Sequence, residues 1–112
     1  MSTDATTIDR AGLAERERVL ALLRAKEAEL RALGVRRLRL FGSIARGEAG
    51  SESDVDLLAE IDHSSRFSLL DLVGLQFDLG DLIGRKVEIA TAVEKMRPRM
   101  RRRVEADAIE VF

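Results

Sequence analysis

Apolar residues along this chain keep changing period, and each change marks an element. From Ala11 to Leu33, Leu13, Leu20, Leu23 and Leu30 recur near one helical face, with Arg, Glu and Ala between them. That spacing predicts one amphipathic packing helix, and Gly34 stands where a helix-ending glycine belongs. Residues 1–10 are polar and aperiodic and predict a flexible lead-in. From Val35 to Phe41 the period shortens: Val35, Leu38 and Leu40 alternate, imperfectly, with Arg37 and Arg39. This is the first predicted strand. Gly42 and Ser43 end it, and the residues after Ser43 are expected to form a short helix. A Gly-, Ser- and Glu-rich loop occupies 47–53, followed by a second strand from Asp54 to Ile61 with Leu57, Leu58 and Ile61 as core candidates.

Beyond a connection at 62–66, Ser68 and Asp71 have capping-box spacing and open a helix predicted to run to about Ile83. Leu69, Leu72, Val73, Gln76 and Phe77 share much of one face of it; Gly80 weakens it locally and Gly84 closes it. Lys86 to Ala90 reads as a short strand interrupted by Glu88. Thr91 and Glu94 form a second capping-box candidate, and Pro98 suits the first turn of a last helix through about Ala106. Residues 108–112 fit an edge strand. Strands interleaved with helices predict an α+β chain, a small mixed sheet flanked by helices, with residues 11–112 as a single domain.

Composition narrows the function. With 112 residues, 46% hydrophobic and 35% charged, the chain supports one core and is not a disordered tail. No apolar run approaches the ~20 residues of a membrane span, and residues 1–10 lack the apolar centre of a signal peptide. A cytoplasmic protein without membrane contact is the expectation. The absence of cysteine excludes disulfides and thiolate metal sites, and a lone histidine, His63, argues against a His-based zinc site or a Ser-His triad. The net charge of −1 hides an asymmetry: six acids and no base from Glu48 to Asp62, five arginines and no acid from Arg97 to Arg103. With no Trp or Tyr to stack on bases, direct nucleic-acid binding is not expected.

The chemistry concentrates between the first two strands. Asp54 and Asp56, two apart on a strand, point to the same side. Like charges so placed repel, and a hard divalent cation such as Mg2+ relieves that repulsion. Taken alone they also fit a solvated acidic strand edge, although Asp is a poor strand former. Gly42 and Ser43 fit an ordinary turn. They also fit a phosphate cradle, because glycine lets backbone N–H groups approach an anion closely. Phosphate donors beside metal carboxylates suggest a site for a metal-bound nucleoside triphosphate.

The run Gly42-Ser43-Ile44-Ala45-Arg46-Gly47, a spacer, and Ser53-Asp54-Val55-Asp56-Leu57 resembles the signature of the nucleotidyltransferase superfamily related to DNA polymerase beta. Its minimal branch, the small MNT proteins paired with HEPN-domain partners, is the most similar. The resemblance extends from the strand before Phe41 to the C-terminus. It implies a mixed sheet with the site at one edge, and it assigns Ser43 and neighbouring amides to the triphosphate of ATP. It makes Asp54 and Asp56 ligands of two Mg2+ ions about 3.5–4 Å apart, and gives the third carboxylate position, as a further ligand of the catalytic ion or the base, to Glu88. The family usually carries aspartate there, in a Val-Asp-Leu-Val-like setting, whereas this chain has Lys86-Val87-Glu88-Ile89-Ala90. By its surroundings alone Glu88 fits an exposed edge position equally well.

Other residues stay open. Arg46 either assists on the phosphates or braces the acidic loop. His63 reads as a loop residue, and Arg97–Arg103 reads as a solvated face or a contact surface for an acidic partner or the nucleotide. The resemblance implies AMP transfer from ATP to a hydroxyl, most plainly a tyrosine of a HEPN-type toxin RNase, within a hetero- or homo-oligomer. That would make the chain an antitoxin. Two rivals stand beside this: a non-catalytic antitoxin acting by occlusion, and a nucleotidyltransferase with a small-molecule acceptor.

Overall fold

The computed structural model describes residues 3–92 and 95–112. Helix α1 (Thr3–Arg24) and the short α2 (Glu27–Leu33) lead into strand β1 (Val35–Phe41). Strand β2 (Val55–Ile61), helix α3 (Leu69–Ile83) and strand β3 (Val87–Ala90) follow, then helix α4 (Pro98–Asp107) and strand β4 (Ile109–Glu110). The sheet order is β3-β2-β1-β4, with β1 antiparallel to both β2 and β4, and β3 parallel to β2 across the α3 crossover. The expected mixed sheet with flanking helices is what forms.

One face of the sheet carries the main core. Leu38, Leu40, Leu57, Ala59 and Ile89 meet Val19, Leu20 and Leu23 of α1, Leu30 of α2, and Leu75, Leu79 and Ile83 of α3. The opposite face has a smaller cluster, in which Phe41 and Leu58 pack under Val104 of α4. The imperfect alternation of β1 has a structural cause. Its register to β2 shifts between Val35 and Arg37, so an extra residue returns Val35 and Leu38 to the same core.

Three sequence expectations need correction. The helix expected over 11–33 is two helices, and α1 already begins at Thr3, ahead of the periodic stretch. The break at Ala25–Lys26 has no Gly or Pro to announce it; Lys26 sits near φ −98°, ψ 5°, outside the helical basin. The residues after Ser43 make a single hydrogen-bonded turn instead of a short helix. The sequence groups Leu69, Val73 and Phe77 on one face of α3 without saying whether it is covered; the structure buries Leu75, Leu79 and Ile83 instead and leaves those three facing solvent. An apolar helix with two candidate faces does not reveal by periodicity which one is covered. The final strand is shorter than 108–112, although Val111 and Phe112 still bond to Leu38 and continue the β4 pairing.

The Ser68–Asp71 capping box forms as expected, with both reciprocal bonds. The other candidate box falls on Glu94, which lies outside the described residues. Two tethers finish the frame. Arg24 of α1 donates to the carbonyls of Glu110 and Val111, fixing the chain's end, and the Gln76 side-chain oxygen accepts from the Ile89 N–H of β3.

Candidate active site

The site is assembled where β1 and β2 end side by side. β1 pairs Phe41 with Asp56, and the chain then turns sharply at Gly42, whose φ of 83° is a conformation that favours glycine. The Arg46 N–H bonds to the Gly42 carbonyl at 3.1 Å and the Glu48 N–H to the Ser43 carbonyl at 2.9 Å, closing the turn. Ile44 and Ala45 are buried and anchor it to the core. From the other side α1 presses on it: a Cβ at Gly12 would collide with the Gly47 carbonyl. The turn that carries Ser43 is thus clamped between the sheet and the first helix.

Asp56 lies directly under this turn. A Cβ on Gly42 would run into the Asp56 carboxylate, so glycine here makes room for the acid as well as for the backbone. Asp56 is half-buried, and its pKa is pushed up to about 6. Burial is the main cause, the charges of Glu88 and Asp54 add to it, and Arg46 opposes it. Asp54 is half-buried just ahead of β2. Glu88 is the register partner of Asp56 across the parallel β2/β3 pair, so both stand on one face. Its side chain is exposed and pairs with Lys86 at 3.2 Å.

The structure therefore gathers Asp54, Asp56 and Glu88 into one electrostatic neighbourhood without closing them into a cage. Among the described residues no three metal-ligating side chains are set to hold an ion by themselves. This suits Mg2+, which takes one or two carboxylates plus substrate phosphates and seldom an all-protein shell. The all-oxygen donor set, with Asp56 half-buried beside two further carboxylates, fits such an ion. Glu88→Gln is expected to lower the Asp56 pKa in the metal-free protein, readable by NMR titration of the side-chain carboxyl. An unchanged value would assign the elevation to burial and Asp54.

Arg46 is occupied as a brace. It donates to Glu48 and to Asp107 of α4, both at 2.8 Å, tying the glycine turn to the helix over the second sheet face. Sequence reasoning missed a second brace. Arg85 donates to the carbonyls of Gly50 (2.9 Å) and Ser53 (2.7 Å) and pairs with Glu15 of α1 at 2.6 Å. It straps down the loop immediately before Asp54. Glu15, held by Arg18 and Arg85 against its own desolvation, has its pKa drawn down to about 2. Nothing local signals this role, since Arg85 merely follows the helix-closing Gly84. His63 lies beyond the far end of β2 and takes no part.

Asp56, Glu88, Lys86, Gln76, Met96 and Arg97 border an open cleft of about 580 Å³. Its floor is the sheet edge, and α4 supplies its outer wall. Its size falls within the range of ordinary ligand pockets. A glycine turn at positive φ, the Asp56 carboxylate beneath it with Asp54 and Glu88 as charged neighbours, and a cleft beside them make up the candidate site.

Comparison with known proteins gives the family. The profile of the nucleotidyltransferase domain matches residues 23–111, and the chain belongs to that family. A Methanocaldococcus jannaschii protein, MJ0435, to which protein adenylyltransferase activity is assigned, is 37% identical over 79 residues, 70% of this chain and 82% of its own. The protein adenylyltransferase MntA of Thermococcus cleftensis is 39% identical over 74 residues, 65% of this chain and 73% of its own. Among solved structures, the complex of a tri-AMPylated Shewanella oneidensis HEPN toxin with its MNT antitoxin shares the fold. The TM-score is 0.53 at 14% identity, covering 90% of this chain and 71% of that one. The chain is a nucleotidyltransferase of the minimal type. Among the described residues no helix is long and apolar enough to cross a membrane.

Proposed function

We propose that this chain transfers AMP from Mg2+-bound ATP to a hydroxyl of a partner protein, a tyrosine of a HEPN-type toxin RNase, and so acts as an antitoxin. The observation that carries the reading is the Asp56 carboxylate seated against Gly42, with Asp54 and Glu88 beside it. Ser43 and the turn amides receive the triphosphate, and Gly42 keeps the backbone clear. Asp54 and Asp56 would hold Mg2+, which when bound would supply charge neutralisation at the phosphates and acidify the acceptor hydroxyl. The acceptor oxygen attacks the α-phosphorus, the bond to the departing pyrophosphate breaks, and the acceptor proton leaves toward the exposed carboxylate of Glu88. Arg46 and Arg85 act by holding the turn and the loop still.

The relatives assigned protein adenylyltransferase activity and the AMPylated HEPN complex support a protein acceptor. The occlusion reading draws on one feature, the Glu88 side chain turned toward Lys86. Incubation with α-labelled ATP, Mg2+ and the HEPN-domain protein of the same genome separates the two. Transfer predicts label on that protein, lost with EDTA and in Asp54→Ala/Asp56→Ala. Toxin inhibition without label, retained in the double variant, establishes occlusion instead.

A further inference from the structure

Helix α3 carries an apolar face that the fold leaves uncovered. Leu69, Leu70 and Phe77 are 74%, 83% and 70% exposed, and Val73 adjoins them. Leu70, Val73, Gly74 and Phe77 follow helical spacing and form one stripe, while Leu75, Leu79 and Ile83 serve the core from the other side. Leaving large apolar side chains contiguous in water is unfavourable for a monomer, and such patches mark interaction sites. Gly74 sharpens the point. It sits mid-helix, where glycine weakens a helix relative to alanine, and a Cβ there would meet nothing within 4 Å. No contact among the described residues requires it. A partner backbone approaching closely would.

We infer that this stripe is the docking surface for the acceptor protein, which presents to it an apolar helix face flanked by basic side chains. The inference rests on the protein-acceptor reading above. Two observations select this occupant. Helix α3 itself carries no Lys, Arg or His, and Asp78 and Asp81 stand one helical turn beyond Gly74 and Phe77, so the helix offers negative charge at that end of the stripe, with Arg85 and Lys86 across the Phe77 hollow. The stripe is also continuous with the active site. Phe77 and Gln76 line a hollow with Lys86 and Val87, and Gln76, Lys86 and Val87 also line the cleft that holds Asp56 and Glu88. A protein seated on α3 has only to reach around β3 to place a hydroxyl at the carboxylates. A second copy of this chain fits less well. Two copies paired stripe to stripe would set against each other two helices that carry Asp71, Asp78 and Asp81 and no Lys, Arg or His, so α3 offers its own copy no opposite charge to match.

The test uses the purified full chain and the HEPN-domain protein of the same genome, with Phe77→Asp, Gly74→Gln and, as a control on α4, Arg99→Gln. Calorimetry reads affinity for the HEPN protein and, separately, for Mg2+ with AMP-PNP; sedimentation reads self-association. Phe77→Asp and Gly74→Gln should each weaken HEPN binding by roughly 10–30-fold, the scale of losing an interface anchor. Nucleotide affinity and Arg99→Gln should match wild type. Gly74→Gln should also raise the thermal midpoint, since it improves the helix, so its binding loss is not a folding defect. HEPN binding equal to wild type in both variants overturns the proposal, as does failure of the wild type to bind. A monomer–dimer shift in the variants with HEPN affinity unchanged overturns it in favour of self-association. A wild-type complex that forms without transferring AMP removes the catalytic reading and leaves the surface standing.

Discussion

Asp56→Asn is expected to yield a protein that is more stable at neutral pH and nearly inactive. In the metal-free fold the Asp56 carboxylate is pushed up to about 6 from an ordinary 3.8, because it is half-buried with Glu88 and Asp54 as neighbours. The sign follows from proton linkage. Between these two values the folded chain binds more protons than the unfolded one, so stability falls as pH rises through that window. Below it the acid is neutral in both states and there is no penalty. Above it the whole penalty is present, of order 1–2 kcal/mol once solvent screening is allowed for. Asparagine keeps the shape and removes the charge. Urea titrations with EDTA should therefore show a wild type that loses stability from about pH 4 to 6.5 and a variant that does not. Transfer should drop by roughly 10²–10³-fold, comparable to the loss of a group that stabilises developing charge. A variant less stable than wild type at pH 7.5 would mean that Asp56 is a structural acid with a partner.

Gly42→Ala should damage the same site by a different route. A residue with a Cβ at φ 83° is strained by roughly 1–3 kcal/mol. Here the Cβ also enters the space of the Asp56 carboxylate. The acid must move, and displacement of a reacting group by about 1 Å can cost on the order of 10² in rate. Gly84→Ala is the control, with a similar φ of 80° and nothing near the added methyl. It should lose stability of the same order and keep its transfer activity. Equal activity losses in the two variants would show that backbone strain, not the Asp56 contact, decides.

How legible all this was differs by residue. Gly42, Asp54, Asp56 and Glu88 stood out because their chemistry conflicts with the elements that carry them: carboxylates on strands, a glycine ending an apolar run. The structure does bring them together, through the Phe41–Asp56 and Asp56–Glu88 pairings. Ser68 and Asp71 were equally plain, since a capping box is local. Glu15 and Arg85 were not, and for Arg46 the brace to the acidic loop was one of two open readings while its Asp107 partner was hidden, because an arginine's distant partner is chosen by the tertiary fold. Arg85 bonds to residues 32 and 35 positions earlier in the chain, and no pattern along the sequence carries that information. The break between α1 and α2 is similar. Ala25 and Lys26 are good helix formers overruled by packing.

Gln76 has a consequence beyond the site. β3 is an outer strand, and its Ile89 N–H is taken by the Gln76 side chain at 2.9 Å. The opposite border, β4, is two residues long and carries Glu110, engaged by Arg37. Open strand borders are where sheets of separate molecules join and grow into insoluble polymers. With one border stoppered by an amide and the other cut short, this chain can display leucines and a phenylalanine on a helix without offering its neighbours a backbone template for fibre growth.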